Sequence, residues 1–225
     1  MGDRHSENGG QLSKQVWFIT GASRGLGYAL AEDALAAGKR VAATGRRPET
    51  LSALVDRYGD RVLAVALDVT DQAQVESAIQ RTVEHFGRID VVVNNAGYAN
   101  ISPVEDIAMD DFRAQVEAVF YSTVLVTKAA LPVLRRQGSG HFIQITSIGG
   151  RITSPGLSAY QSAKFAVEGF SGVLRQELVP LGIKVTLAEP GGMRDAYRPT
   201  VGALAERLRA TAGKEPIDPP RPPAP

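Results

Sequence analysis

Cysteine is absent from the 225 residues, which excludes disulfides and thiolate-bound metals. Histidine is scarce: His5, His85 and His141 stand far apart and without ligand spacing, so no metal site is expected. An excess of one charge is also missing. With 25 basic and 24 acidic residues the net charge is +1, and no long basic run occurs, which argues against nucleic acid as the main partner. No apolar run nears the ~20 residues needed to cross a bilayer, and nothing resembles a signal peptide. The expectation is therefore a cytoplasmic protein with no membrane partner. What remains is ordinary for a globular domain: 44% hydrophobic and 22% charged residues, enough chain for one full core.

The ends differ from the middle. Residues 1–13 open on the polar, glycine-rich "MGDRHSENGG" and are expected to be a disordered tail; residues 214–225 form a proline-rich tail ending in "PIDPPRPPAP". Between them, 14–213 reads as a single domain. Short apolar runs at 16–20, 40–44, 62–67, 90–94, 141–146 and 183–188 read as strands. Most are apolar throughout, as strands covered on both faces are. Helical stretches separate them. Gly38 and Gly87 are expected to stop two of these helices, and Thr70 with Asp71 to start the one that carries His85 in its last turn. Strict alternation predicts an α/β fold, a doubly wound parallel sheet of the Rossmann-like kind, with ligands at the carboxyl ends of its strands.

The first predicted strand runs into "TGASRGLG", residues 20–27. Glycines between a strand and a helix let the backbone approach a pyrophosphate, and the helix N-terminus supplies N–H donors. The spacing of Gly21, Gly25 and Gly27 differs from G-x-G-x-x-G, but the strand–turn–helix context favours a dinucleotide. The second strand is followed by "TGRRPE", where an acid would hold a ribose 2′-hydroxyl. Arg46 and Arg47 stand there instead, with Arg24 inside the glycine turn. These arginines suit a 2′-phosphate, so NADP(H) is the expected cofactor. Further on, "SAYQSAKF" sets Tyr160 and Lys164 four residues apart, on one face of a helix. A nearby ammonium favours the phenolate, so Lys164 is expected to draw the Tyr160 pKa down toward neutrality.

"TGASRGLG", "DV" at 68–69, "NNAG" at 94–97, Ser147, "YQSAK" and "EPGG" at 189–192 occur in order. Together they resemble the main one-domain branch of the short-chain dehydrogenase/reductase family across roughly residues 14–194. The resemblance implies that Tyr160 is the general acid in carbonyl reduction and the base in alcohol oxidation. Lys164 would hold the nicotinamide ribose and tune the tyrosine, and Ser147 would hydrogen-bond the substrate oxygen. The turn residues Gly21, Ser23, Arg24, Gly25, Leu26 and Gly27 would hold the cofactor with Arg46. Asp68 and Val69 would meet the adenine, and Asn95, Ala96 and Gly97 would line the cleft. Pro190, Gly191 and Gly192 would border the nicotinamide. A small carbonyl or alcohol substrate, walled by residues 98–106 and 149–158, and a homodimer or homotetramer are implied as well.

Two departures stand out. Val119 falls where the family places an asparagine in its proton relay, and Asp195 follows "EPGGMR" where a threonine and a substrate-covering loop are usual. The second suggests that Arg194 and Asp195 are not neighbours in the natural chain. The leading reading is an oxidoreductase moving a hydride between NADP(H) and a carbonyl or secondary alcohol. The other is an NADP-binding sensor of the same fold that turns over weakly or not at all, for which Val119 speaks. A serine hydrolase is disfavoured, since no G-x-S-x-G elbow is present.

Overall fold

The structure, a computed structural model, describes residues 15–191. Six strands form within them: β1 (Val16–Ile19), β2 (Arg40–Gly45), β3 (Val62–Ala66), β4 (Val91–Asn94), β5 (Gly140–Ile145) and β6 (Ile183–Ala188). Each matches an apolar run of the sequence to within a residue at either end. All pairings are parallel, in the order β3-β2-β1-β4-β5-β6. The chain therefore moves outward from β1 in one direction, returns to β4, and moves outward in the other. That reversal leaves a crevice at the carboxyl ends of β1 and β4, where such folds take ligands.

Helices cover both faces. Successive strand residues point to opposite sides, so Phe18, Ala42, Val65, Val92, Phe142 and Val185 meet one helical layer and Ile19, Val41, Ala43, Val91 and Val93 the other. The first layer holds α3 (Gln72–Phe86), α5 (Ser122–Gln137) and α6 (Ser158–Leu178); the second holds α1 (Gly25–Ala36) and α2 (Ser52–Tyr58). Residues Val91 to Asn94 of the central β4 are all buried, which is why "VVVN" carries no alternation.

Local signals explain the helix ends. Asp71 caps α3 by accepting the Gln74 N–H at 3.1 Å, while Thr70 turns back to Asp68. Of the two expected starters, the aspartate is the cap. Buried Val75, Ala78, Ile79, Thr82 and Phe86 give α3 its inner stripe, and Gly87 ends it as expected. Helix α4 (Met109–Val116) continues through one π-helical turn, Glu117–Tyr121, into α5. The whole run Met109–Gln137 is long and apolar enough to cross a membrane by length and composition. Its Val126, Ala130 and Leu134 are instead buried in the core against the sheet.

Candidate active site

The glycine turn is held from below by β4. Thr20 Oγ1 accepts the N–H groups of Asn95 at 2.9 Å and Ala96 at 3.0 Å, and donates to the Val93 carbonyl. The Asn95 amide donates back to the Thr20 and Gly21 carbonyls at 2.9 and 3.2 Å. Gly21 has a positive φ of 65°, which the turn needs and a side chain would resist. Gly27 is required for a different reason. A Cβ there would lie 2.3 Å from the Gly21 carbonyl oxygen and 2.4 Å from Asn95 Nδ2. The first turn of α1 is thus seated directly on the loop. Asn95 and Ala96 brace this cradle, and Ser23 lies under β2, 3.2 Å from where a Gly45 Cβ would stand.

The remaining residues singled out in the sequence surround the same edge. Leu26 is half-buried in the first turn of α1, and Arg24 and Arg46 are exposed at the ends of the glycine turn and of β2. Neither arginine forms an ion pair among the described residues. Asp68 follows β3 and accepts from Thr70 N–H and Oγ1 at 3.0 and 2.7 Å. Val69 packs against the core. Gly97 follows β4. The Pro190 carbonyl accepts the Ile148 N–H, which places the end of β6 beside the segment carrying Ser147. Gly191 is the last described residue; Gly192 and the suspected break at Arg194–Asp195 lie outside the described residues, as do both tails.

Ser147 stands just beyond β5 in extended backbone, with its Oγ accepting the Gly149 N–H at 3.0 Å. Its hydroxyl lies close enough to the Tyr160 phenol to favour the ionised form. Lys164 lies one turn further along α6, 5% exposed, and its Nζ is 5.7 Å from the Tyr160 ring centre. The spacing argument is met: both side chains share one face. Their ionisation differs from expectation. Burial pushes the Tyr160 phenol above its ordinary value, and the neighbouring Ser147 hydroxyl opposes this only in part. Lys164 spends its Nζ on the Ile145 carbonyl, to which it donates at 2.7 Å. Burial also lowers its own pKa to about 8, with Glu168 acting in the other direction.

That shift has a sign that can be tested. The folded pKa lies below the ordinary 10.5, so the cost of burying the ammonium is full below about pH 8 and vanishes as pH rises toward 10.5. Relative to Lys164→Met, the wild-type protein is expected to gain up to about 3 kcal/mol between pH 7 and the unfolded pKa. Urea unfolding of both proteins across that range measures it. A constant difference would mean that the amine is not desolvated.

Several contributors were not singled out in the sequence. Gln161 accepts the Ser154 N–H at 2.8 Å and donates to the Ile152 carbonyl at 3.0 Å, which holds the loop before α6. Gln115 donates to the Tyr98 carbonyl, and Ser102 N–H to the Gly156 carbonyl, so the two suspected substrate walls are tied to each other. A signal existed: Lys164, Glu168 and Ser171 are polar residues at helical spacing on the inner side of α6. Val119, by contrast, is 1% exposed in the π-helical turn and packs with Ala163 and Val167. Its carbonyl accepts from Thr123 Oγ1 at 2.9 Å.

A parallel sheet wound both ways with a glycine turn at its crevice defines a Rossmann fold, and Ser147, Tyr160 and Lys164 stand beyond the strands that border it. The chain belongs to the short chain dehydrogenase family, whose sequence model matches residues 15–202. Members of that family use nicotinamide cofactors and act on small molecules. The chain is 56% identical over 216 residues to oxidoreductase BOA17 of Botryotinia fuckeliana, a match spanning 89% of this chain and 79% of that one. It is 40% identical over 181 residues to the uncharacterized oxidoreductase C162.03 of Schizosaccharomyces pombe, spanning 80% of this chain and 61% of that protein. The crystal structure of a short-chain dehydrogenase from Streptomyces avermitilis superposes with a TM-score of 0.79 at 38% identity, covering 87% of this chain and 79% of that one.

Proposed function

We propose that the protein is an NADP(H)-dependent enzyme that interconverts a carbonyl and a secondary alcohol, with Tyr160 as proton donor and acceptor. The observation that carries this reading is Lys164, buried one turn from Tyr160 on the same helix face with its Nζ 5.7 Å from the phenol ring centre, beside the strand end that carries Ser147. Because a Gly27 Cβ would meet the Gly21 carbonyl and the Asn95 amide, α1 is seated closely on the glycine turn, which would bring its N-terminus up to a dinucleotide's pyrophosphate. Gly21, Ser23, Arg24, Gly25, Leu26 and Gly27 would hold its pyrophosphate side, Arg46 its 2′-phosphate, and Asp68 and Val69 its adenine. Asn95, Ala96 and Gly97, with Pro190, Gly191 and Gly192, would flank the remainder. When bound, the nicotinamide supplies or takes up the hydride.

The chain's own residues supply the proton and the orientation. Burial keeps the Tyr160 phenol protonated at neutral pH, which suits a donor to a carbonyl oxygen. Ser147 can hydrogen-bond the same oxygen and stabilise the charge that develops on it. Lys164 would orient the ribose and, as an ammonium, favour departure of the phenolic proton. Val119 offers no polar side chain here, so any relay at this point rests on backbone and water. The sensor reading has the valine in its favour, but it gives no reason for a lysine buried beside the Tyr160 ring. Oxidation of NADPH with a panel of aldehydes and ketones tests the proposal. Cofactor binding with no turnover on any of them would favour the sensor.

The cofactor preference has its own test. Arg46→Ala is expected to weaken NADPH roughly ten- to hundredfold while hardly changing NADH, since a charge-assisted contact contributes about 1.5–3 kcal/mol. Fluorescence titration with each nucleotide reads this. An equal loss for both would show that Arg46 does not contact the 2′-phosphate.

A further inference from the structure

Glu168 lies on α6 one turn beyond Lys164, and its side chain is only 12% exposed. A carboxylate is seldom buried unless it is paired. Here its Oε1 accepts from Thr146 Oγ1 at 2.5 Å, and its Oε2 faces Arg151 Nη2 at 3.3 Å. Arg151 also donates to Glu189 Oε1 through Nε at 3.1 Å and Nη2 at 2.7 Å. Room for Glu168 depends on Gly150, where a Cβ would come within 3.0 Å of the Glu168 Cγ. One carboxylate thus joins three segments of the site: the residue before Ser147, the helix carrying Lys164, and, through Arg151, the residue before Pro190. The Ala188 carbonyl accepts the Thr146 N–H at 2.8 Å and closes the same set.

Among the described residues, charged and titratable groups stand near Lys164 on three elements. Its own helix presents Tyr160 and Glu168. The segment after β5 presents Ser147 and then Arg151, and the end of β6 presents Glu189. The π-helical turn and α4 pack Val116, Val119 and Phe120 against this stretch of α6, and the acidic Glu117 of that turn is exposed. Among the described residues, the opposite charge that favours its protonated form is Glu168.

We propose that Glu168 is a positioning residue for the reaction: its carboxylate keeps Lys164 an ammonium and anchors the strand end that carries Ser147, while Arg151 limits how much of that charge Lys164 feels. The assignment rests on Lys164 belonging to the active site as proposed above. An isolated buried lysine would lose its charge near neutral pH. Glu168 moves that loss upward, and Arg151 provides the adjustment.

The test uses the full chain with isotopically labelled lysine, so that the Lys164 amine is titrated directly by NMR without turnover; Lys164→Met assigns the signal. Glu168→Gln keeps an acceptor for Thr146 but removes the charge, and is expected to lower the midpoint from about 8 by at least about one pH unit. Arg151→Met, at an exposed residue, is expected to raise it. The alkaline limb of the carbonyl-reduction profile should move with the midpoint in both variants. A midpoint unmoved in Glu168→Gln, with activity lost, would reduce Glu168 to a structural role and overturn the assignment. Should that variant fail to fold, a midpoint at or below the wild-type one in Arg151→Met overturns it as well. A midpoint that moves while the activity profile stays still would support the Glu168–Lys164 coupling and refute instead the catalytic reading of Lys164.

Discussion

Tyr160→Phe is expected to cut carbonyl reduction by at least about 10²- to 10⁴-fold, the contribution typical of a general acid. The substitution removes one oxygen and little else. The neighbouring Ser147 Oγ keeps its bond from the Gly149 N–H, so the loop after β5 retains an anchor. Cofactor affinity should therefore hardly change, and stability should fall by no more than about 1 kcal/mol, one hydrogen bond's worth. Turnover and nucleotide binding measured side by side check both halves. Near-wild-type turnover would remove Tyr160 from the mechanism. A parallel collapse of nucleotide binding would mean that the ring, not the proton, is what matters.

Gly27→Ala is expected to destabilise the protein by about 3 kcal/mol, near the upper end for an overpacked core. A single methyl would sit 2.3 Å from the Gly21 carbonyl oxygen and 2.4 Å from the Asn95 amide, neither of them a flexible side-chain tip free to swing away. Relief requires the first turn of α1 to lift off the loop, or the Asn95 amide to give up its bonds to the Thr20 and Gly21 carbonyls. Either change disturbs the cradle, so nucleotide affinity should fall along with stability. A domain of this size should lose about 6–12 °C in Tm. Gly172→Ala is the control: it lies within α6 with nothing within 4 Å of the added methyl, and should be neutral or stabilising by up to about 1 kcal/mol. A Gly27→Ala protein that melts and binds nucleotide like wild type would show that the close approach is not needed.

The two substitutions probe features of unequal visibility in the sequence. Tyr160 was legible because helical spacing alone puts it beside Lys164, and because the motifs around it occur in order along the chain. Gly27 was legible as a turn glycine, but the reason it must be glycine was not. The atoms that exclude a side chain belong to Gly21 and to Asn95, the latter just past the end of β4 and 68 residues away in sequence. Glu168 and Arg151 drew no attention for the same reason. Neither belongs to a motif, and their partners Thr146 and Glu189 come from the ends of two other strands.

The expectation for Tyr160 shows where the boundary falls. From spacing, a lysine one turn away should have pulled its pKa down. Tertiary burial reversed the direction: it withdrew the phenol from water and turned the Lys164 ammonium to the Ile145 carbonyl. The sequence by itself determined the succession of strands and helices, the parallel winding, the strand ends that carry the site and the face shared by Tyr160 and Lys164. These follow from short-range periodicity and from runs of apolar residues. Only the tertiary structure decided which side chains are charged, which glycine has no room, and which carboxylate stands behind Lys164. Those properties depend on desolvation and on contacts between segments far apart in the chain, and neither is written in any local pattern of residues.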